Sequence, residues 1–295
     1  EQRFGVKQKE KIKEIRKTID VLTLTATPIP RTLQMSLMGI RGLSQIETPP
    51  LNRLPVQTYV MEKSNQLVKQ VIERELGRKG QVFYLHNQTA NIESVANEIA
   101  RLVPQAKIGI GHGRMSKDEL EKVMQAFVDK EYDILVCTTI IETGIDIPNA
   151  NTIIIENADR FGLSQLYQIK GRVGRSERLA YAYLLYAKNK QMNEEATKRL
   201  KAIKEFAQLG SGYKIAMRDL SIRGSGDILG GEQAGFIDTV GFDMYMRILQ
   251  EAIEEKTGEK KEEKEVPVQN VNVDGYIFEN YVENDMEKLN LYQRI

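Results

Sequence analysis

Short apolar segments and longer amphipathic segments alternate between residues 56 and 186, and this alternation limits the fold more than any other feature of the chain. Runs of β-branched and apolar residues predict buried strands, and the segments between them have helical periodicity. The predicted strands are 56–61, 81–85, 107–110, 133–137, 152–156 and 181–186, and the predicted helices are 64–77, 89–102, 116–129 and 164–170. Strands that alternate with helices form a parallel sheet covered by helices. The expected fold class is therefore α/β.

Two local signals mark helix ends within this pattern. Ser116 and Glu119 have the spacing of a capping box, which places a helix start at residue 116. Gly80 is expected to mark the stop of the helix that precedes it.

The composition is that of a globular protein of about two domains, with 295 residues of which 41% are hydrophobic. The chain has 42 basic and 41 acidic side chains, so any contact with DNA must come from a local surface. No segment approaches the roughly 20 apolar residues of a membrane span. The N-terminus has no signal-peptide pattern. No membrane partner is expected.

The few cysteines and histidines suggest a reducing compartment and no metal centre. Cys137 is the single cysteine and lies in an apolar strand, which predicts a buried, inert thiol. A cytoplasmic location is the natural expectation. His86, His112 and Cys137 lack the spacing of a zinc cluster, so no structural metal is expected.

Residues 165–175 read Gln-Leu-Tyr-Gln-Ile-Lys-Gly-Arg-Val-Gly-Arg, a Q-x-x-Q-x-x-G-R-x-G-R pattern. Arg172 and Arg175 are three residues apart, and on a helical turn they would project to nearly the same side, toward one multiply charged anion. Their planar guanidinium groups suit phosphate oxygens. Gly171 and Gly174 remove side chains where a backbone must come close to a ligand or a neighbouring element. Two arginines alone are more often solvated on a surface helix.

A second motif covers residues 134–149, where a buried strand ends in the polar loop Thr-Thr-Ile-Ile-Glu-Thr-Gly-Ile-Asp-Ile-Pro. Loops after the carboxyl ends of strands hold ligands in open α/β sheets. Gly144 would let the loop turn, and Asp146 could accept a hydrogen bond from a ribose hydroxyl or orient a cation. Taken alone, the segment would equally be an ordinary strand and turn.

The two motifs resemble motifs V and VI of superfamily 2 helicases and translocases, and the segment Leu-Thr-Leu-Thr-Ala-Thr-Pro-Ile-Pro-Arg at 22–31 resembles motif III. The resemblance implies a RecA-like lobe that completes a site for ATP and Mg²⁺ with another lobe. Arg172 and Arg175 would neutralise charge developing on the γ-phosphate, and Gln168 would orient that phosphate or water. Gly144 and Asp146 would lie at the ribose and the interlobe cleft.

DNA contacts are expected at the ends of the predicted strands. A motor that moves along any sequence contacts the DNA backbone rather than the base edges. The candidates are His112, Arg114, Thr138 and Thr139. Each could equally satisfy loop backbone groups.

After residue 187 the pattern changes to a charged helix, 188–209, a Gly-Ser-Gly turn and a second helix, 213–220. This predicts a helical hairpin. The glycine-rich stretch 222–235 follows and is expected to form an ordered loop. Hairpin and loop resemble the translocation motif of RecG-type branch-migration helicases and of bacterial transcription-repair coupling factors.

Three segments resemble the coupling factors most: 199–206, 209–220 and 235–245. The resemblance implies that Arg199 and Arg223, with Gln233, transmit the nucleotide state of the core to DNA movement. Both arginines could instead cap nearby carbonyl groups. The implied partners are double-stranded DNA, RNA polymerase and nucleotide excision repair proteins.

The chain is expected to contain parts of several domains. These are a remnant of a first RecA-like lobe at 1–46, a second RecA-like helicase lobe at 47–187, the hairpin and loop at 188–240, a helix and charged linker at 241–265, and the start of a small C-terminal regulatory domain at 266–295.

The sequence contains no G-x-x-x-x-G-K-[ST] phosphate loop, and the Asp and Glu of a D-E-x-Q motif II would lie just before residue 1. The full motor is expected to hydrolyse ATP, and this chain alone is expected to be inactive. Two alternatives stay open. One is a RecG-type helicase fragment, which should lack the tail at 266–295. The other is a non-catalytic nucleic-acid-binding module that keeps the lobe without the chemistry.

Overall fold

The structure is a computed structural model that describes residues 54–139, 147–189, 191–206, 208 and 210–223, together with the single residues 22, 24, 25, 44, 46, 244, 248 and 251. The chain divides into two compact units, residues 1–250 and 251–295. The helices and strands described below belong to the first unit. Most of the motif III segment and the glycine-rich loop lie outside the described residues, so the predictions made for them stay predictions.

Six strands form one sheet in the order β1-β6-β5-β2-β4-β3, and every neighbouring pair is parallel. The strands are β1 (Gln57–Glu62), β2 (Gln81–Leu85), β3 (Ile108–Gly111), β4 (Ile134–Cys137), β5 (Ala150–Ile155) and β6 (Tyr181–Tyr186). The helices are α1 (Asn65–Gly77), α2 (Ile92–Leu102), α3 (Lys117–Val128), α4 (Leu163–Lys170), α5 (Glu194–Glu205) and α6 (Gly212–Arg223), with short 3-10 helices at Thr89–Asn91 and Ala158–Arg160. The predicted parallel, helix-covered sheet is confirmed.

Helices cover both faces of the sheet, which explains why the strands read as nearly continuous apolar runs. Phe83 and Leu85 of β2 belong to a core shared with α3, α4, α5 and α6. Val82 and Tyr84, which point to the other face, belong to a second core shared with α1 and α2. Cys137 is buried in β4, and burial raises the pKa of its thiol well above the ordinary range, as expected for an inert thiol.

The capping box at the start of α3 is confirmed, because the Ser116 backbone N–H donates to Glu119 Oε2 at 2.9 Å and the Glu119 N–H donates to Ser116 Oγ at 3.3 Å. Gly80 marks the stop of helix α1 as expected, because its N–H donates to the Glu75 carbonyl at 3.0 Å, although it is not the left-handed residue of this helix end. Helix α1 ends at Gly77, and Lys79 adopts the left-handed conformation with φ of 59°. Gly80 is needed for space, since a Cβ there would lie 1.8 Å from Glu75 Oε1.

The predicted helical hairpin is present with different ends. Asn193 caps α5, accepting from the Ala196 N–H at 2.8 Å, so this helix begins later than residue 188. Helix α6 continues to Arg223, which therefore ends a helix instead of lying in the glycine-rich loop. The hairpin contacts α4 through a hydrogen bond from Ser164 Oγ to Asp219 Oδ2 at 3.1 Å.

Candidate functional site

The sheet has two edges that carry different groups of candidate residues. Because all strands run in one direction, the residues after the strands meet at a carboxyl edge and the residues before them meet at an amino edge. The strands have four to six residues. At about 3.3 Å per residue, they separate the edges by about 13–20 Å. The candidate DNA contacts and the candidate arginines lie on opposite edges.

The two arginines lie in a loop at the amino edge, residues 171–180, which we call the arginine loop. It joins the end of α4 to the start of β6. Helix α4 ends at Lys170, and the Arg172 N–H donates to the Ile169 carbonyl at 3.0 Å, just past the helix. The prediction that Arg172 and Arg175 project from one helical turn is therefore wrong, because both follow the end of the helix.

Arg172 and Arg175 are both half-buried residues of the arginine loop. Arg175 Nε donates to the Gly171 carbonyl at 3.3 Å, which folds this side chain back over the end of α4. Gln168 lies half-buried in the last turn of the same helix. The three candidate catalytic side chains therefore lie on one turn and the loop that follows it. Their roles toward ATP stay predictions.

Strand β4 ends at the carboxyl edge and β5 begins at the amino edge, and Gly144 and Asp146 between these strands lie outside the described residues. The chain is described again from Ile147, whose carbonyl accepts from the Ala150 N–H at 3.1 Å in a turn before β5. A surface cavity of about 580 Å³ opens between residues 147–149 and 176–178, with Val128 and Lys130 on a further side. The segment that follows Asp146 thus lies beside the arginine loop.

The candidate DNA contacts lie at the ends of β3 and β4 on the carboxyl edge. Thr138 is only 7% exposed, and its N–H donates to the Gly111 carbonyl at 3.2 Å, which extends the β3–β4 pairing. Thr139 and His112 are half-buried, and Arg114 is exposed. Arg114 is therefore the most accessible of the four, and DNA contact by any of them stays a prediction.

A charged cluster on the carboxyl edge escaped the sequence analysis. Glu156, directly after β5, accepts from Lys63 Nζ after β1 and from His86 Nδ1 after β2 at 2.5 Å. His86 Nε2 lies 2.8 Å from Asn91 Oδ1. His86 and Glu156 are both less than 10% exposed. The sequence pattern that could have indicated this cluster is that Lys63, His86 and Glu156 each closely follow an apolar strand.

The two acceptors around His86 favour its imidazolium form, which can donate from both ring nitrogens. The hydrogen bond with Glu156 raises the pKa of His86 above its ordinary value of 6.5, against an opposing effect of burial. Burial would raise the pKa of Glu156, but the hydrogen bonds from His86 and Lys63 outweigh it and lower that pKa. The cluster thus joins the ends of three strands as a charged network.

This network should make stability depend on pH. The raised pKa of His86 contributes stability that is complete below pH 6.5 and is lost as the pH rises through the folded-state pKa. The lowered pKa of Glu156 contributes stability above pH 4.5 that is lost as the pH falls through its folded-state pKa. Thermal unfolding from pH 6 to 8, below the range where Lys170 loses its proton, should show a falling melting temperature, and the fall should be smaller in His86→Gln. Equal slopes in both proteins would contradict this assignment.

Arg199 connects the hairpin to the segment after β5. Its Nη2 donates to the Asp159 carbonyl at 3.4 Å, and its Nη1 lies 3.7 Å from Glu195 Oε2. Arg199 therefore caps a carbonyl group in the 3-10 helix Ala158–Arg160, which is the structural alternative considered for it. A further role in coupling stays a prediction, as it does for Arg223, which ends α6, and for Gln233, which lies outside the described residues.

Two negative observations apply to the described part of the chain. Across residues 54–139 and 147–223 with their gaps, no three His, Cys, Asp or Glu side chains are grouped to hold a metal ion. None of the helices described there combines the length and apolar character that a membrane span requires.

Comparison with known proteins agrees with the parallel, helix-covered sheet. Residues 62–177 match the helicase conserved C-terminal domain. The solved structure of RecG bound to a three-way DNA junction is 33% identical, with a TM-score of 0.59, and the match covers 80% of this chain and 32% of that chain. The described lobe is thus a RecA-like helicase C-terminal domain.

The relationship extends beyond this domain. The chain is 58% identical to a transcription-repair-coupling factor of Staphylococcus aureus (strain USA300) over 297 aligned residues, which include all of this chain. It is 57% identical to the factor of the same name from Staphylococcus epidermidis. The chain belongs to the transcription-repair-coupling factor family and spans about a quarter of the length of these relatives.

Proposed function

We propose that this chain is the second motor lobe of an ATP-dependent double-stranded DNA translocase that displaces stalled RNA polymerase and couples transcription to nucleotide excision repair. The observation that carries the proposal is the 58% identity to a transcription-repair-coupling factor along the whole chain. The likeness to RecG, whose structure contains a three-way DNA junction, supports DNA as the track.

The two edges of the sheet support separate roles in nucleotide binding and in DNA binding within this lobe. At the amino edge, Arg172 and Arg175 would bind the γ-phosphate of ATP held mainly by another lobe, Gln168 would orient that phosphate or water, and closure of the lobes would complete the site. At the carboxyl edge, Arg114 would contact the DNA backbone. Nucleotide binding and DNA binding then act on opposite ends of the same strands, so that movement of the rigid sheet affects both.

A contact between α4 and the hairpin supports a link between the hairpin and the proposed nucleotide site. Lys170, which ends α4 just before the arginine loop, donates from Nζ to the Phe206 carbonyl at the end of α5 at 3.3 Å. Lys170 is 5% exposed, and burial lowers its pKa to about 8. A shift of the arginine loop would therefore be transmitted to the hairpin through packed contacts, as the proposed coupling roles of Arg199, Arg223 and Gln233 require.

ATP hydrolysis by this lobe would depend on the remainder of the full-length protein. The chain has no phosphate loop and spans about a quarter of the length of its coupling-factor relatives. We therefore assign the metal ion and most contacts to ATP to regions outside this chain. RNA polymerase, excision repair proteins and a cytoplasmic location belong to the same proposal.

The proposed coupling can be tested in the full-length protein by measuring ATP turnover and the displacement of a third strand from triplex DNA. Arg223→Ala should keep DNA-stimulated ATP turnover and lose displacement, because Arg223 is proposed to act after hydrolysis. Arg218→Ala, an exposed arginine on the same helix, is the matched control and should keep both activities. Retained displacement in Arg223→Ala would refute its role, and a wild-type protein without either activity would overturn the proposed function.

A further inference from the structure

Asn151 is a buried amide at the amino end of an apolar strand. It is the second residue of β5, is 0% exposed, and is followed by Thr152 and three isoleucines. Asparagine is disfavoured in strands, and a buried amide without hydrogen bonds destabilises the fold. The contacts of the side chain therefore explain its presence.

The Asn151 side chain bonds to two loops at once. Its Nδ2 donates to the Asn149 carbonyl at 3.2 Å, and its Oδ1 accepts from Ser176 Oγ at 3.0 Å. Asn149 lies three residues after Asp146, and Ser176 directly follows Arg175. One planar amide thus joins the end of the loop after β4 to the arginine loop.

This connection is anchored to the sheet through Gln81, which is 2% exposed at the start of β2. The Gln81 N–H donates to the Asn149 carbonyl at 3.0 Å, and Asn149 Nδ2 donates to Gln81 Oε1 at 3.2 Å. Gln81 Nε2 donates in turn to the carbonyls of Phe127 at 2.6 Å and Tyr132 at 2.7 Å, at the end of α3 and in the turn after it. The amide network therefore cannot shift without disturbing three elements.

We propose that Asn151 is a positioning residue that acts through Ser176 to fix Arg175 relative to the segment that follows Asp146. The inference rests on the proposed function, in which Arg175 contacts the γ-phosphate of ATP. The position requires a donor and an acceptor in one uncharged group, which leucine and aspartate cannot supply. Catalysis is sensitive to displacements of about 1 Å, so a loosened arginine loop would lower turnover without removing any group that touches ATP.

The experiment uses Ser176 in the full-length protein, because this half-buried hydroxyl can be removed with less risk to folding than Asn151. Ser176→Ala should lower kcat for DNA-stimulated ATP hydrolysis by about tenfold, because Arg175 would be held less well in the position that stabilises the transition state. The KM for ATP should change less than about twofold, because the lost interaction affects the transition state more than the bound substrate. Ser176→Thr, which keeps the hydroxyl, should restore kcat.

A double variant shows whether the effect passes through Arg175. In the Arg175→Ala background, Ser176→Ala should cause no further loss of kcat, since the group that it positions is already absent. If Ser176→Ala lowers only the melting temperature and leaves kcat unchanged, or if the two losses multiply, the inference is overturned. If Arg175→Ala itself leaves turnover intact, the arginine assignment of the proposed function fails, and the inference fails with it.

Discussion

Alanine at Arg172 or Arg175 is expected to lower ATP turnover of the full-length protein by about a thousandfold or more, the usual effect of losing an arginine that stabilises phosphoryl transfer. DNA affinity should stay unchanged, because the arginine loop lies on the amino edge of the sheet and the candidate DNA contacts lie on the carboxyl edge. The measurements are steady-state ATP hydrolysis with DNA present and DNA affinity at one fixed salt concentration.

Arg178→Ala is the matched control for this prediction. Arg178 is an exposed arginine in the same loop, and its guanidinium donates to the Arg78 carbonyl at 3.2 Å. Its loss should leave turnover within about threefold of wild type, since surface substitutions are usually worth less than about 0.5 kcal/mol.

Arg172→Lys tests whether the charge of Arg172 is sufficient or its planar geometry is also needed. Lysine keeps the positive charge but cannot offer two parallel N–H groups to one phosphate. Near-normal turnover in Arg172→Ala and Arg175→Ala would contradict the proposal that these arginines stabilise the γ-phosphate during hydrolysis.

The elements of the sheet could be predicted closely because their physical causes are local in the sequence. The strands predicted at 81–85 and 181–186 have the observed bounds, and the other strand bounds differ by at most two residues. Strands covered by helices on both faces must be apolar throughout. The turn residues and helix caps between them then leave little choice of boundary.

The candidate site was less predictable because it depends on strand order. Glu156 and His86 are 70 residues apart and meet only because β5 pairs with β2. Nothing in the apolar pattern fixes that neighbour relation, so the cluster with Lys63 could not be expected from sequence. The same holds for Asn151 and Ser176, which meet across the amino edge. Isolated polar residues at strand ends were visible, but their partners were not.

The arginine loop shows a second limit of sequence reasoning. The sequence predicted one role for both Gly171 and Gly174, which was to leave room where the backbone comes close to a ligand or a neighbouring element. Their backbone conformations differ, however. Gly171 caps α4 with φ of −68°, a conformation open to any residue. Gly174 has φ of +74°, and a Cβ there would lie 2.9 Å from Val56 Cγ2 and 3.2 Å from the Ala180 Cβ. Only the second glycine is required both by conformation and by space.

Gly174→Ala is therefore expected to lower the free energy of unfolding by about 2–5 kcal/mol, the sum of about 1–2 kcal/mol for a left-handed residue with a Cβ and about 1–3 kcal/mol for overpacking. Gly171→Ala, the matched control in the same motif, should change it by less than about 1 kcal/mol. Urea denaturation followed by circular dichroism measures both, with the midpoint shifted and the slope unchanged.

The two glycine variants also separate stability from the chemistry of the arginines. Val56 and Ala180 immediately precede β1 and β6, so a Cβ at residue 174 pushes the arginine loop away from the start of two strands. Gly174→Ala should therefore also lower ATP turnover of the full-length protein at a temperature where the variant is folded, whereas Gly171→Ala should not. Equal stability of the two variants would show that the loop can move at little cost, and the geometry assigned to Arg172 and Arg175 would then have no fixed support from the sheet.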